Sequence, residues 1–156
     1  LIIREFKPSD RLDCIEIFKG NMPKFFAPAE LPDFVSCLDN LDSGKKLFKN
    51  ALNEKYFVAV LSNKIVACGG YYIVEDENRG NMVWGMVDNT FHKMGIGRKL
   101  LEYRIQEIKK LNPENTVSLD TTQYSYQFFE KLGFTTTNIT KDFYGEGLDR
   151  YDMINH

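Results

Sequence analysis

With 156 residues, 43% hydrophobic and 27% charged side chains, the chain has the length for one domain with a full apolar core and the composition of an ordinary globule. A formal net charge of −2 gives no general attraction to nucleic acid or to an anionic membrane surface, and no apolar run reaches membrane-spanning length. Cys14, Cys37 and Cys68 are odd in number and far apart, and the histidines are only His92 and His156, which argues for reduced thiols and against a disulfide framework or a metal site. Together with the lack of a secretory pattern, this predicts a single cytoplasmic domain over residues 1–156.

In chain order, residues 1–6 read as a first strand, closed by the turn Pro8-Ser9-Asp10, and Leu12, Ile15, Ile17 and Phe18 predict a helix that ends at Gly20. Residues 22–32 hold three prolines and are irregular, after which Phe34, Val35, Leu38 and Leu41 predict a second helix. Residues 56–61 and 64–75 form a hairpin around Ser62-Asn63, with Gly69-Gly70 as the expected bulge. A polar turn over 75–80 leads into the apolar run Met82 to Val87, a central strand covered on both faces, in which Gly85 marks a bulge or a close approach.

The stretch that follows carries the chemistry. A short polar connection, 88–92, reaches Gly95-Ile96-Gly97, and then Ile96, Leu100, Leu101, Ile105, Ile108 and Leu111 recur at helical spacing, with Arg98, Lys99, Glu102 and Lys109 on the other side. Strand, glycine turn and helix start aim unpaired backbone N–H groups and a positive dipole end at one spot, with Arg98 and Lys99 beside it. Such a spot holds an anion of the phosphate type. It is neither a dinucleotide fingerprint, since Leu100 takes the third glycine's place, nor a P-loop, since Arg98-Lys99-Leu100 follows the second glycine.

Beyond the helix, residues 112–115 form a loop, 116–121 a strand parallel to the central one, and Ser125, Phe128, Phe129 and Leu132 a short helical stripe ended by Gly133. The tail, 134–156, reads as two strands joined by a loop over 142–149 that holds Gly145 and Gly147.

His92-Lys93-Met94-Gly95-Ile96-Gly97 resembles the Q/R-x-x-G-x-G/A signature of the GNAT acetyltransferase superfamily, with His92 where Gln or Arg is usual. Phe128 to Phe134 resembles the family's LYEKLGF block, in the same order along the chain. The resemblance implies an α/β fold: a mixed, mostly antiparallel twisted sheet of about seven strands, helices on both faces, and a splayed parallel strand pair. It implies acetyl-CoA as co-substrate, its pyrophosphate on the backbone of His92, Lys93, Met94, Gly95, Ile96, Gly97, Arg98 and Lys99, its pantetheine arm hydrogen-bonded near Val87, and a hydroxyl contact from Thr122. No metal is implied.

The same resemblance leaves the chemistry open. A family tyrosine that protonates the leaving thiolate is replaced by Phe129, so Tyr126 or Tyr124 would have to serve, or else pack. A glutamate that some members carry is Asn81 here. That leaves Glu75 or Asp120 as the base, with a solvated turn charge the other reading of Glu75 and a helix cap the other reading of Asp120. Phe25 and Phe26 line an acceptor pocket or pack as core. Tyr144, in the loop of the last hairpin, selects the acceptor, or that loop is a plain turn or a homodimer contact.

The implied activity is an N-acetyltransferase acting on a primary amine of a small molecule or an amino-acid-like acceptor, without nucleic-acid or membrane partners. A non-catalytic acyl-CoA-binding or sensor domain is the alternative. A tRNA-acetylating toxin is a third reading, which the acidic balance disfavours.

Overall fold

A computed structural model describes residues 1–74 and 77–156. Seven strands form one sheet: β1 (Ile2–Glu5), β2 (Ala51–Leu61), β3 (Lys64–Val74), β4 (Arg79–Val87), β5 (Thr116–Thr121), β6 (Thr135–Gly145) and β7 (Leu148–Asn155). Their order across the sheet is β1-β2-β3-β4-β5-β7-β6. Neighbours are antiparallel except β4 and β5, which are parallel. Four helices complete the fold: α1 (Arg11–Gly20), α2 (Leu31–Asp42), α3 (Ile96–Leu111) and α4 (Tyr126–Glu130).

Alternation along the strands assigns the helices to faces. Phe57, Ala59, Ala67 and Tyr71 pack with Leu100, Leu101 and Ile108 of α3. Their strand neighbours Tyr56, Val58 and Cys68 point the other way, onto Phe18 of α1 and Phe34 and Leu38 of α2. The sheet therefore carries one buried cluster on each face, as expected for a layered α/β fold.

Three local readings are corrected. First, β2 starts at Ala51 rather than at residue 56; its polar opening is held from outside, since Glu54 accepts hydrogen bonds from the Leu47 and Phe48 amides. Second, the bulge lies in β4 and not at Gly69-Gly70. Cys68 pairs with Met86 and Gly70 with Val83, so Trp84 and Gly85 together oppose Gly69. Trp84 sits at φ 45°, a left-handed conformation that a bulky side chain rarely adopts. Third, the last hairpin has a two-residue tip, 146–147, in place of the expected loop over 142–149. Two acidic side chains close it: Asp142 accepts from the Gly147 amide at 2.7 Å and Asp149 from the Asp142 amide at 2.9 Å.

The feature that makes a site is the fork between β4 and β5. They pair only at Arg79 with Thr116, Gly80 with Val117, and Asn81 with Ser118. The last pair is tied by Ser118 Oγ donating to Asn81 Oδ1 at 2.5 Å. Beyond it the strands part and a cleft opens.

Candidate active site

The cleft has a volume of about 1140 Å³ and runs from the glycine turn before α3 to the β6–β7 hairpin. At the turn, Lys93 and Gly95 take φ 65° and 79°, so the chain curls back and Gly95 caps α3. The first helical N–H groups have no carbonyl one turn before them and are left for an anion. Gly97 abuts the end of β4: a Cβ there would stand 3.4 Å from Val87 Cγ2 and 3.6 Å from Phe128 Cζ.

The remaining residues of the predicted loop divide. His92, Lys93 and Arg98 join the two glycines in lining the cleft. Arg98 is exposed and spends its Nε on Glu102 at 2.8 Å, one helical turn on. Ile96 is buried in the core, whereas Met94 and Lys99 are exposed and outside the lining. None of these three side chains reaches the cleft, and the Lys99 amide is already spent on Gly95 O at 3.1 Å.

Val87 lines the same wall, but its carbonyl is already engaged. It accepts from Asn21 Nδ2 at 2.9 Å and contacts His92 Nε2 at 2.9 Å. Because a carbonyl only accepts, this contact places the His92 proton on Nε2. Two side chains from α1's end and from the turn thus pin the last residue of β4, and an incoming arm would have to use other backbone groups there.

At the far end the structure brings together Asp120, Tyr144, Arg150 and Glu30, all of which line the cleft. The Tyr144 hydroxyl donates to Asp120 Oδ2, and Arg150 Nη2 approaches Asp120 Oδ1 at 3.9 Å. Burial lifts the Tyr144 phenol well above its ordinary value, and the charge and hydrogen bond of Asp120 push the same way, against Arg150. The phenol therefore stays protonated and is the donor of the pair. Glu30 comes from the entry to α2, where its Oε2 accepts from the Ala27 amide at 2.8 Å. Burial pushes its carboxyl up to about 6, helped by the charge of Asp120.

The other candidates are placed as follows. Asp120 does not cap α4, whose first residue follows Ser125. Thr122 lines the cleft, but its Oγ1 accepts from the Tyr124 amide at 3.2 Å, which shapes the turn into α4. Tyr126 stacks on Tyr151 at 4.4 Å and stands outside the cleft, whereas Tyr124 lines it and is half exposed. Phe26 lines the cleft and stacks on Phe18 at 4.6 Å. Glu75 lies outside the described residues. Asn81 lines the cleft at the fork, and its buried Nδ2 has no hydrogen-bond partner among the described residues.

Residues 28–155 match the model of the acetyltransferase (GNAT) domain. The chain belongs to this family. Comparison with curated proteins by sequence gives no match. Among solved structures, the GNAT-family acetyltransferase of Staphylococcus aureus Mu50 superposes with a TM-score of 0.72 at 22% identity, over 99% of this chain and 97% of that one. The ribosomal-protein-S18-alanine N-acetyltransferase of Escherichia coli gives 0.74 at 20%, over 99% and 92%. An aminoglycoside 6'-N-acetyltransferase complexed with coenzyme A gives 0.73 at 16%, over 99% and 96%. At these identities the likeness is one of fold.

Within this GNAT domain, Phe129 lines the cleft edge-on to Phe128 and Phe134, with ring centroids at 5.0 and 6.0 Å, and offers no proton. Three cleft groups escaped the sequence reading. Glu30 had a readable signal, a glutamate three residues after the start of a helix entry. Asn21 had none, because its partner Val87 is 66 positions away. Arg104, only 5% exposed, had one: it sits in register with Leu100, Leu101 and Ile108, on the apolar stripe.

Proposed function

We propose that this GNAT domain transfers the acetyl group of acetyl-CoA to a primary amine of a small molecule or an amino-acid-like acceptor. One observation carries the reading: a single cleft joins an anion-holding turn at Gly95-Ile96-Gly97 to the Glu30, Asp120 and Tyr144 cluster at its other end. The first end suits a pyrophosphate and the second suits an ammonium group. Support for the donor comes from the family match and from the neighbour of the same fold that holds coenzyme A. Neighbours whose names state aminoglycoside or spermidine acceptors support an amine.

The residues present fit acetyl-CoA: Gly95 and Gly97 leave backbone approachable, and Lys93 and Arg98 supply positive charge. Bound there, acetyl-CoA supplies an activated acyl carbon as a thioester. An amine attacks only as the free base, so a group in the cleft must take the proton of the ammonium, and carboxylates can both hold the ammonium and do so. Asp120, oriented by Tyr144, is the holding group, and Glu30, with its carboxyl near 6, is the better proton acceptor near neutral pH. Tyr124, which lines the cleft beside the turn into α4 where Tyr126 does not, is the phenol that returns a proton to the thiolate in this reading.

The test is incubation of the pure protein with acetyl-CoA and a panel of primary amines, following free thiol and, in parallel, acetyl-CoA binding by calorimetry. Thiol release that depends on at least one amine is the expected result. Tight binding with no turnover across the panel would favour a non-catalytic acyl-CoA-binding domain.

A further inference from the structure

Arg104 is a buried cation without a carboxylate partner among the described residues. Its Nε donates to Leu100 O at 3.4 Å and its Nη1 to Gly70 O at 3.2 Å, and the nearest titratable groups, Tyr56 and Cys68, belong to the cluster on the opposite face of the sheet. Burial lowers its pKa to about 10. Removing a guanidinium from water without a counter-charge is costly, and the fold goes further to keep it. Two glycines clear its place: a Cβ on Gly69 would stand 3.0 Å from its Cζ, and one on Gly85 3.0 Å from its Nη2.

The guanidinium lies beneath the Trp84-Gly85 bulge of β4, and the bulge is braced on another side, where Tyr56 Oη donates to Trp84 O at 2.7 Å. Trp84, Gly85 and Arg104 all line the cleft. Along β4 the bulge comes just before Val87, which touches the anion-holding turn at Gly97. A donor anchored by its phosphates at that turn and an amine held at Asp120 must meet between the two ends, at the level of the bulge.

We infer that Arg104 is a positioning residue for acyl transfer, which braces the Trp84-Gly85 bulge from below and favours negative charge on the thioester carbonyl oxygen seated against it. This rests on the acetyl-CoA reading above. In the transfer, the amine lone pair forms the C–N bond and the C=O π pair moves onto oxygen. That pair then returns as the C–S bond breaks, the amine proton passes to a base, and the sulfur leaves as thiolate and takes up a proton, giving amide and free thiol. Negative charge on oxygen appears midway, beside a guanidinium that is itself buried and so screened little by water. The bound ground state already feels the same field, so the carbonyl is polarised before any acceptor arrives.

That makes the inference testable without knowing the amine. Acetyl-CoA carrying a ¹³C-labelled acetyl carbonyl is bound to the full chain; its affinity is measured by calorimetry and its C=O stretch by isotope-edited infrared spectroscopy. The expected result is a carbonyl band lower in frequency than that of free acetyl-CoA. In Arg104→Met the band moves back towards the free position at unchanged affinity, and in Arg104→Lys, which keeps a cation, it stays nearer the parent. A parent band at the free position, or an Arg104→Met band equal to the parent's, overturns the inference while leaving the cofactor assignment standing. Should Arg104→Met not fold, the parent band together with that of Arg104→Lys decides. Absence of acetyl-CoA binding to the parent overturns the cofactor reading and this inference with it.

Discussion

The Tyr144 hydroxyl, near the end of β6, donates a hydrogen bond to Asp120 Oδ2 on β5, across the intervening strand β7. The tie leaves Oδ1 of Asp120 near Arg150 and fixes the orientation of a carboxylate that is 40% exposed. Without it, water would replace the phenol and the carboxylate would rotate.

Tyr144→Phe should therefore lower turnover with a true acceptor, or raise its KM, by about tenfold, the low end for a hydrogen bond to a charged group, while acetyl-CoA affinity holds. Asp120→Asn should do at least as much. If the two act as one unit, the double variant will fall well short of the summed effects, a coupling on the order of 1 kcal/mol or more. Steady-state kinetics on the four proteins checks this; strictly additive losses would dissolve the pair.

The glycine turn sets a second expectation. At φ 79°, Gly95 takes a conformation in which a side chain is strained by roughly 1–2 kcal/mol, although a Cβ would meet nothing. Gly97 is different: its Cβ would make ordinary contacts with Val87 and Phe128, so Gly97→Ala should fold normally. Gly97→Val places two further methyls beside the helix N–H groups and should weaken coenzyme A binding by about tenfold or more, since anion and backbone can no longer meet. Arg98→Ala should cost less than about 1 kcal/mol, because Arg98 is exposed and already paired with Glu102. Calorimetric titration with coenzyme A orders the three, and full affinity in Gly97→Val would separate the turn from the pyrophosphate.

These two sites differ in how legible they were. The turn could be read because everything it needs is local: an apolar strand, Gly95 and Gly97, then Ile96, Leu100, Leu101 and Ile108 at helical spacing. The succession of elements along the chain followed from the same block patterns, and the splayed parallel pair from the family resemblance, whereas the place of β7 between β5 and β6 left no trace in the sequence. The cluster at the other end of the cleft is drawn from separate elements: Asp120 and Tyr144 could be singled out one by one, but their bond to each other and the nearness of Glu30 and Arg150 could not, because pairing across a sheet leaves no periodicity in sequence. The β4 bulge was legible at Gly85, but its extra residue could not be placed until Gly69 was seen opposite Trp84 and Gly85. Arg104 shows the converse, a visible break in the stripe between Leu101 and Ile108 that an amphipathic reading passes over because one cation seldom moves a helix's pattern.

Away from the cleft, the Arg4–Asp10 pair ties β1 to the start of α1. Asp10 is buried and accepts from Arg4 Nη1 at 2.7 Å, Arg4 Nη2 at 2.9 Å and the Lys7 amide at 2.8 Å. Burial alone would raise its carboxyl, but the Arg4 and Lys7 hydrogen bonds and charges outweigh it and hold it below its ordinary value. A depressed folded pKa stabilises the native state above the unfolded value, about 3.9, and that contribution is lost as pH falls through the folded value. Asp10→Asn should thus cost on the order of 1–3 kcal/mol at pH 7, and the gap to the parent should narrow below about pH 4. Urea unfolding at pH 7 and pH 3 measures both; an equal gap at the two would mean that shape, not charge, is at work.

Glu30 has the opposite sign. Burial pushes its carboxyl up to about 6, opposed by the Ala27 amide and aided by the charges of Asp120 and Asp33, whereas in the unfolded chain it titrates near 4.3, as any glutamate does (about). Between those values the folded protein keeps a proton that the unfolded chain has lost, so stability falls as pH rises through the window. Above about 6 the ionised, half-buried carboxylate burdens the native state by a constant amount, about 1 kcal/mol once its partial exposure is discounted. Glu30→Gln keeps an oxygen for the Ala27 amide and cannot ionise. It should match the parent at pH 4 and exceed it at pH 8, a difference that urea unfolding at both values will show. The same substitution should slow acetyl transfer to an accepted amine and remove the rise of the rate through pH 6, while coenzyme A binding stays as in the parent. A variant that is more stable at pH 8 yet keeps the parent's pH–rate profile would leave Glu30 as a burdened helix-entry residue and pass the proton to Asp120.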